Sequence, residues 1–122
     1  MCGIFGYVGP KAGAGLLMEG IKRLEYRGYD SWGISLGVEG LDPKGALHTR
    51  KEAGSIAQSD SLDAVTAGQK EERFWGGIAH TRWATHGAPS VVNAHPHLDC
   101  TDTIAVVHNG IIENYSSLKE RL

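Results

Sequence analysis

Apolar residues follow two periods along this chain. From about Ala14 to Arg27, Leu17, Ile21 and Leu24 recur at helical spacing, while Glu19, Lys22, Arg23 and Glu25 fill the other face and Gly28 supplies a stop. That pattern predicts an amphipathic helix. Cys2 to Val8 (CGIFGYV) is apolar and β-rich and is stopped by Gly9-Pro10, which predicts a buried strand beginning at the second residue. Trp32 to Val38 reads as another strand, Glu39 to Gly45 with Asp42-Pro43 as a turn, and Ala46 to Lys51 as a hairpin partner. Ser61 to Val65 suits a short helix capped by Ser59 or Ser61 and closed by Gly68, with a charged loop, Gln69 to Arg73, after it. Phe74 to Trp83 has strand character. Ala84 to Pro96 then mixes Gly, Pro, Asn and His so that neither period survives, and it reads as a functional loop. Thr103 to Val107 is a short β-branched strand. Beyond it Ile111, Tyr115, Leu118 and Leu122 return to helical spacing, with no Gly, Asn or Pro closing the helix at Leu122. This predicts the front portion of a longer domain; a helix frayed at a true C-terminus is the alternative.

Composition narrows the picture. A chain of 122 residues fits one domain, and 41% hydrophobic with 21% charged residues is the composition of a globular protein with an ordinary core. Twelve Lys and Arg against fourteen Asp and Glu leave a net charge of −2, with no basic stripe interleaved with aromatics, which argues against nucleic acid. No apolar run approaches the roughly 18 residues of a membrane span and no secretory leader pattern opens the chain, so a cytoplasmic protein is expected. Gly is the outlier at 17 residues, about twice its usual ~7% share, and its dispersal among hydrophobic residues points to turns and tight packing. Cys2 and Cys100 are too few for a disulfide framework.

Cys2 is the sharpest chemical feature. Initiator Met is usually removed before a small side chain, which would leave a thiol and an α-amine on one residue. The amine, with a reference pKa of about 7.7–8.0 beside about 8.5 for a thiol, could then take the thiol proton near neutrality. On position alone Cys2 reads first as an inert buried thiol in a core strand, the usual fate of a free cysteine, and context must overturn that. Two polar clusters add context: His80-Thr81-Arg82-Trp83-Ala84-Thr85-His86-Gly87 and Val107-His108-Asn109-Gly110. Arg offers a planar fork for a carboxylate, Thr and His shorter donors, and Trp a large amphipathic cover. Asn-Gly after a strand can aim a side-chain amide and a backbone N–H at one point, as a developing oxyanion requires, although Asn-Gly alone more often marks a turn.

Together with Met1-Cys2-Gly3-Ile4-Phe5-Gly6, Leu24-Glu25-Tyr26-Arg27-Gly28-Tyr29-Asp30-Ser31, Asn93-Ala94-His95-Pro96-His97 and Val107 to Asn114, these strings resemble the glutaminase domain of the glucosamine-6-phosphate synthase branch of class II, N-terminal-nucleophile amidotransferases. The resemblance spans nearly the whole chain. It implies an α+β fold, the four-layered αββα sandwich of N-terminal-nucleophile hydrolases, incomplete within 122 residues. It further implies Cys2 as nucleophile with its freed α-amine as base and then acid, and Asn109 with the Gly110 N–H as oxyanion hole. Arg82 would grip the glutamine α-carboxylate with Thr85 and His86 beside it, Trp83 would sit on a closing loop, and Arg27 would order the terminus. The implied substrate is L-glutamine. Fructose 6-phosphate would enter only through an isomerase part absent from these residues, in a parent enzyme that is a homo-oligomer. No cofactor is implied.

Two departures accompany the resemblance. The family's Asp that holds the glutamine α-ammonium lies in a segment after the last helix and is absent here. Trp32 stands where the family commonly has a small residue, and a bulky indole there risks overpacking of roughly 1–3 kcal/mol. Two other readings compete. Truncation could leave an inactive folding unit with open β edges. A metal module could draw on His80, His86, His95, His97, His108 and Cys100, but their spacings fit no standard finger, and an extended His95-Pro96-His97 would aim its two rings to opposite sides. Most of these histidines, His86 excepted, read as hydrogen-bonded structural groups, and Cys100 as incidental.

Overall fold

The structure is a computed structural model and describes residues 1–10, 13–40, 45–58, 65–68, 70 and 73–122. It is α+β. Strand β1 (Gly3–Val8) leads to helix α1 (Gly13–Arg23), followed by strands β2 (Ser31–Val38), β3 (His48–Ala53) and β4 (Phe74–Arg82). A short β5 (His97–Leu98), β6 (Ala105–Val106) and helix α2 (Tyr115–Lys119) complete the chain. The first four strands form one antiparallel sheet in the order β1-β4-β2-β3, and β5 pairs with β6 separately.

Alternation decides what the sheet buries. On β2, Trp32, Ile34 and Leu36 join Ala14, Leu17, Met18 and Ile21 of α1 in the core. Those four helix positions lie three and four apart, so they form one stripe, and Lys22 and Arg23 close the helix where cations complement its dipole. Each fully buried Leu or Ile contributes about 1.5–3 kcal/mol. The neighbouring strands are pared down to admit the large residues of β2: across from Trp32, Ile34 and Leu36 stand Thr81, Ala79 and Gly77. A Cβ at Gly77 would come within 2.1 Å of the Ser35 carbonyl oxygen and 3.1 Å of Leu17. Trp32 is 1% exposed in this setting. Its row runs Trp32–Thr81–Gly3, a large side chain beside a mid-sized one and then a glycine. Its Nε1–H has no acceptor among the described residues, and a buried donor left unpaired costs about 1–3 kcal/mol.

The strands expected at Cys2–Val8, Trp32–Val38 and Phe74–Trp83 form within a residue of those bounds, but β1 is not the buried strand expected, since its alternate residues Ile4 and Val8 are exposed, and the hairpin partner pairs at His48–Ala53 rather than Ala46–Lys51. The expected turn falls partly, and the expected Ser61–Val65 helix almost wholly, outside the described residues. Three elements differ. Helix α1 stops at Arg23 and a 3-10 turn, Glu25–Arg27, follows. The Glu25 carboxylate accepts the Ser55 hydroxyl and the Ala57 N–H, drawing this turn toward β3's exit. The Thr103–Val107 strand shrinks to Ala105–Val106 because Asp99 Oδ1 accepts the N–H groups of Thr103 and Ile104, both at 2.8 Å, before any ladder can use them. The terminal helix covers only Tyr115–Lys119 and does not run to Leu122. None of its residues is buried, with Tyr115 and Leu118 both exposed, as is Ile111 before it, and so short a helix without a buried face is marginal.

Candidate functional site

Pairing of β1 with β4 brings the chain start to the end of β4, with Gly3 opposite Thr81. Cys2 therefore lies beside Arg82 and Trp83. The Trp83 N–H donates to Cys2 Sγ at 3.3 Å, and the thiol faces the Trp83 carbonyl at 3.7 Å. From the other side Asn109 Nδ2 donates to the Cys2 carbonyl at 3.0 Å. Three segments distant in sequence thus close on one thiol.

They border a cavity of about 790 Å³. Seven of the eight expected site residues line it: Cys2, Arg82, Trp83, Thr85, His86, Asn109 and Gly110. The eighth, Arg27, does not; its Nε donates to the Tyr26 hydroxyl at 3.1 Å and its guanidinium lies over the Tyr26 ring. Arg82 is engaged by its own loop. Its guanidinium donates to the carbonyls of His86, Gly87 and Ala88, folding the segment after β4 back over the strand end. Asn93 Nδ2 adds a bond to the Ala88 carbonyl at 3.0 Å, so a loop of broken periodicity is held by side chains instead of a ladder.

Behind the thiol lies a histidine cluster. His80 is buried on β4, and His95 stacks 4.5 Å from it, ring to ring, with His97 4.4 Å further. Both His95 and His97 face the same cavity, correcting the expectation that they point apart: side chains two positions apart on an extended segment share a face, so this spacing aims both rings to one side. Gly33 makes the approach possible, since a Cβ there would sit 2.2 Å from the His95 carbonyl oxygen. Burial first, then the charges of neighbouring His80, His97, Arg82 and His108, push His95 down to about 4. His80 and His97 are lowered too, chiefly by burial, with Arg82 acting on both and Lys51 on His97. Rings held neutral serve as hydrogen-bonding groups, and His95 Nδ1 does so, accepting the His108 N–H at 3.2 Å. Among the described residues no group of three or more His, Cys, Asp and Glu side chains is placed to hold a metal ion. Cys100 is exposed.

No protein-family profile matches the chain. Its full length nevertheless aligns with proteins named glutamine–fructose-6-phosphate aminotransferase [isomerizing]. The identity is 50% to that of Pyrococcus horikoshii, 51% to that of Chlamydia trachomatis and 48% to that of Bacteroides thetaiotaomicron. Over its whole length, then, the chain is similar to one stretch of these proteins. It spans 18–19% of the length of those relatives.

This chain presents Cys2, with its thiol, Asn109, with its amide, and Arg82, with its guanidinium, around one cavity. What sequence reasoning missed is the part His80, His95, His97 and His108 take in that cavity. They were legible only as hydrogen-bonded structural groups. The signal that could have found them is the pairing of β4 with β2, which sets His80 beside Gly33. No helix among the described residues is long and apolar enough to cross a membrane.

Proposed function

We propose that residues 1–122 are the nucleophile-bearing front of a class II glutamine amidotransferase domain, which hydrolyses L-glutamine to glutamate and ammonia. The observation that carries this reading is the one cavity that Cys2, Asn109 and Arg82 line together. In the proposed reaction the Cys2 thiolate attacks the γ-carboxamide carbon, forming a C–S bond and a tetrahedral oxyanion beside Asn109 Nδ2 and the Gly110 N–H. The α-amine returns the thiol proton to the departing nitrogen, the C–N bond breaks, and ammonia leaves. Water then attacks the γ-glutamyl thioester, breaking C–S and restoring the thiol.

Two conditions attach to the residues. The Cys2 nitrogen becomes a base only once Met1 is removed, and Met1, 82% exposed, is open to removal. Arg82 must turn some of its donors from loop carbonyls to the substrate carboxylate, with Thr85, His86 and Trp83 closing around it. Arg27, stacked on Tyr26, would act at a distance by ordering the Leu24–Asp30 segment.

We extend the reading to the whole protein: ammonia passes to an isomerase part that converts fructose 6-phosphate to glucosamine 6-phosphate, in a cytoplasmic homo-oligomer. The domain is read as an αββα sandwich. Ile4, Val8 and Trp75, exposed on or beside the main sheet, are residues a second sheet would cover.

The test is an intact mass before and after exposure to diazo-oxo-norleucine, a glutamine-analogue electrophile, alongside glutamate release. Loss of Met1 with one adduct on Cys2, and no activity in Cys2→Ala, is the expected result. A processed chain that takes no label would favour the inactive folding unit.

A further inference from the structure

The Asn109 amide bridges two groups, and only one of them is chemically fixed. Asn109 Nδ2 lies 3.0 Å from the Cys2 carbonyl oxygen and Oδ1 lies 2.8 Å from His80 Nε2. A carbonyl oxygen can only accept, so the Asn109 atom facing it must be the amide nitrogen. The atom facing His80 is then the amide oxygen, which can only accept, so His80 Nε2 must carry a proton and donate it. The orientation of Asn109 and the tautomer of His80 are one choice.

We infer that His80 is a positioning residue that holds the Asn109 amide with its N–H₂ end turned toward Cys2. The inference deepens the glutaminase reading and rests on it for its catalytic consequence. One hydrogen of that N–H₂ is used by the Cys2 carbonyl, and the second has no acceptor among the described residues, which leaves it free for an oxyanion. Were the ring protonated on Nδ1 alone, Nε2 would be a bare lone pair, the amide would gain by flipping, and Oδ1 would face the Cys2 carbonyl, acceptor against acceptor. His80 has little freedom to change this. It is 1% exposed, its Nδ1 is buried without a partner among the described residues, and its ring lies tilted against that of His95. A bare Nδ1 lone pair suits that unpartnered position better than an N–H with nowhere to donate. His80 lies on β4 while Asn109 follows β6, so the bond also ties the Asn-Gly turn to the main sheet.

Two measurements on the full chain test this. Long-range ¹H–¹⁵N spectra of ¹⁵N-histidine-labelled wild-type protein at pH 7.5 should show His80 neutral, with Nε2 protonated and Nδ1 bare; an Nδ1–H tautomer or a doubly protonated ring would overturn the inference. In kinetics, His80→Met, which removes the donor, should lower kcat for glutamine about tenfold to a hundredfold with KM within about twofold, less than outright loss of an oxyanion donor. His80→Gln places an amide N–H near the old Nε2 and should restore kcat to within about threefold of wild type. A loss that falls on KM, or that both variants share equally, would overturn it. If neither variant folds, the wild-type tautomer alone decides. An inactive wild-type chain with the expected tautomer would support the positioning and overturn the glutaminase reading, so the two failures are distinguishable.

Discussion

Asp30 holds the end of β4 twice: its N–H donates to the Arg82 carbonyl at 3.1 Å, and its Oδ2 accepts the Ala84 N–H at 2.7 Å. Trp83 lies between these two bonds, its indole edge-on to Tyr29 with centroids 5.6 Å apart. Gly28 completes the cradle, because a Cβ there would come 2.5 Å from the Arg82 carbonyl carbon and 2.6 Å from the Trp83 nitrogen. Residues 28–30 therefore shape the segment that carries Arg82, Trp83 and Thr85 into the cavity, although Gly28, Tyr29 and Asp30 do not themselves line it.

Asp30→Ala removes a charge-assisted hydrogen bond, worth about 1.5–3 kcal/mol. Its loss should release the Trp83–Thr85 segment and raise the glutamine KM about tenfold, with a much smaller change in kcat. Asp30→Asn keeps an acceptor oxygen and should recover most of the affinity. Steady-state glutamate release measures both, and an unaltered KM in Asp30→Ala would show that the segment is held by other contacts.

Gly33→Ala should damage fold and site together. Its Cβ would meet the carbonyl oxygens of His95 at 2.2 Å and Arg50 at 3.1 Å, backbone atoms that cannot swing aside. We expect a loss of about 2–4 kcal/mol in urea unfolding and a fall in turnover, since the His95 segment must lift away from His80. Gly45→Ala is the control. It has φ of +75° and nothing within 4 Å among the described residues, so it should cost about 1–2 kcal/mol of backbone strain and leave turnover unchanged. Equal turnover in the two variants would show that the His95 segment does not need to lie against the sheet.

Much of this arrangement was legible in the chain because its signals are local. Leu17 and Ile21 recur at helical spacing, and Trp32, Ile34 and Leu36 alternate, whatever the rest of the molecule does. The family resemblance then grouped Cys2, Arg82 and Asn109, and all three face one cavity. What escaped depends on partners distant in sequence. The shortened β6 follows from where one Asp99 oxygen points, and the stacked His80 and His95 follow from a strand register and an absent side chain at Gly33. Helical spacing in Ile111 to Leu122 states which side could be buried, not what would bury it.

Arg82→Lys should separate charge from geometry. The guanidinium reaches three carbonyls, those of His86, Gly87 and Ala88, and an ammonium cannot match that planar fork or a bidentate carboxylate. We expect the glutamine KM to rise about tenfold or more and limited proteolysis within residues 83–90 to accelerate. A raised KM without faster cleavage would assign Arg82 to the carboxylate alone; faster cleavage without a raised KM would assign it to the loop.

Acid should destabilise the fold through the histidine cluster. His95 is held down at about 4 in the folded chain, against 6.5 for an ordinary histidine. Above pH 6.5 the ring is neutral in both states and its contribution is constant. Between about 6.5 and 4 the unfolded chain binds a proton that the folded chain refuses, so stability falls as pH falls, and below about 4 the difference levels off. His80 and His97 are lowered as well and act with the same sign. Allowing for the partial exposure of His95, its share is about 1–2 kcal/mol. Urea unfolding at pH 7.5 and pH 5 should show the drop. His95→Asn, whose side-chain oxygen can take over the His108 N–H, should flatten it, and a variant as pH-sensitive as wild type would place the titrating group elsewhere.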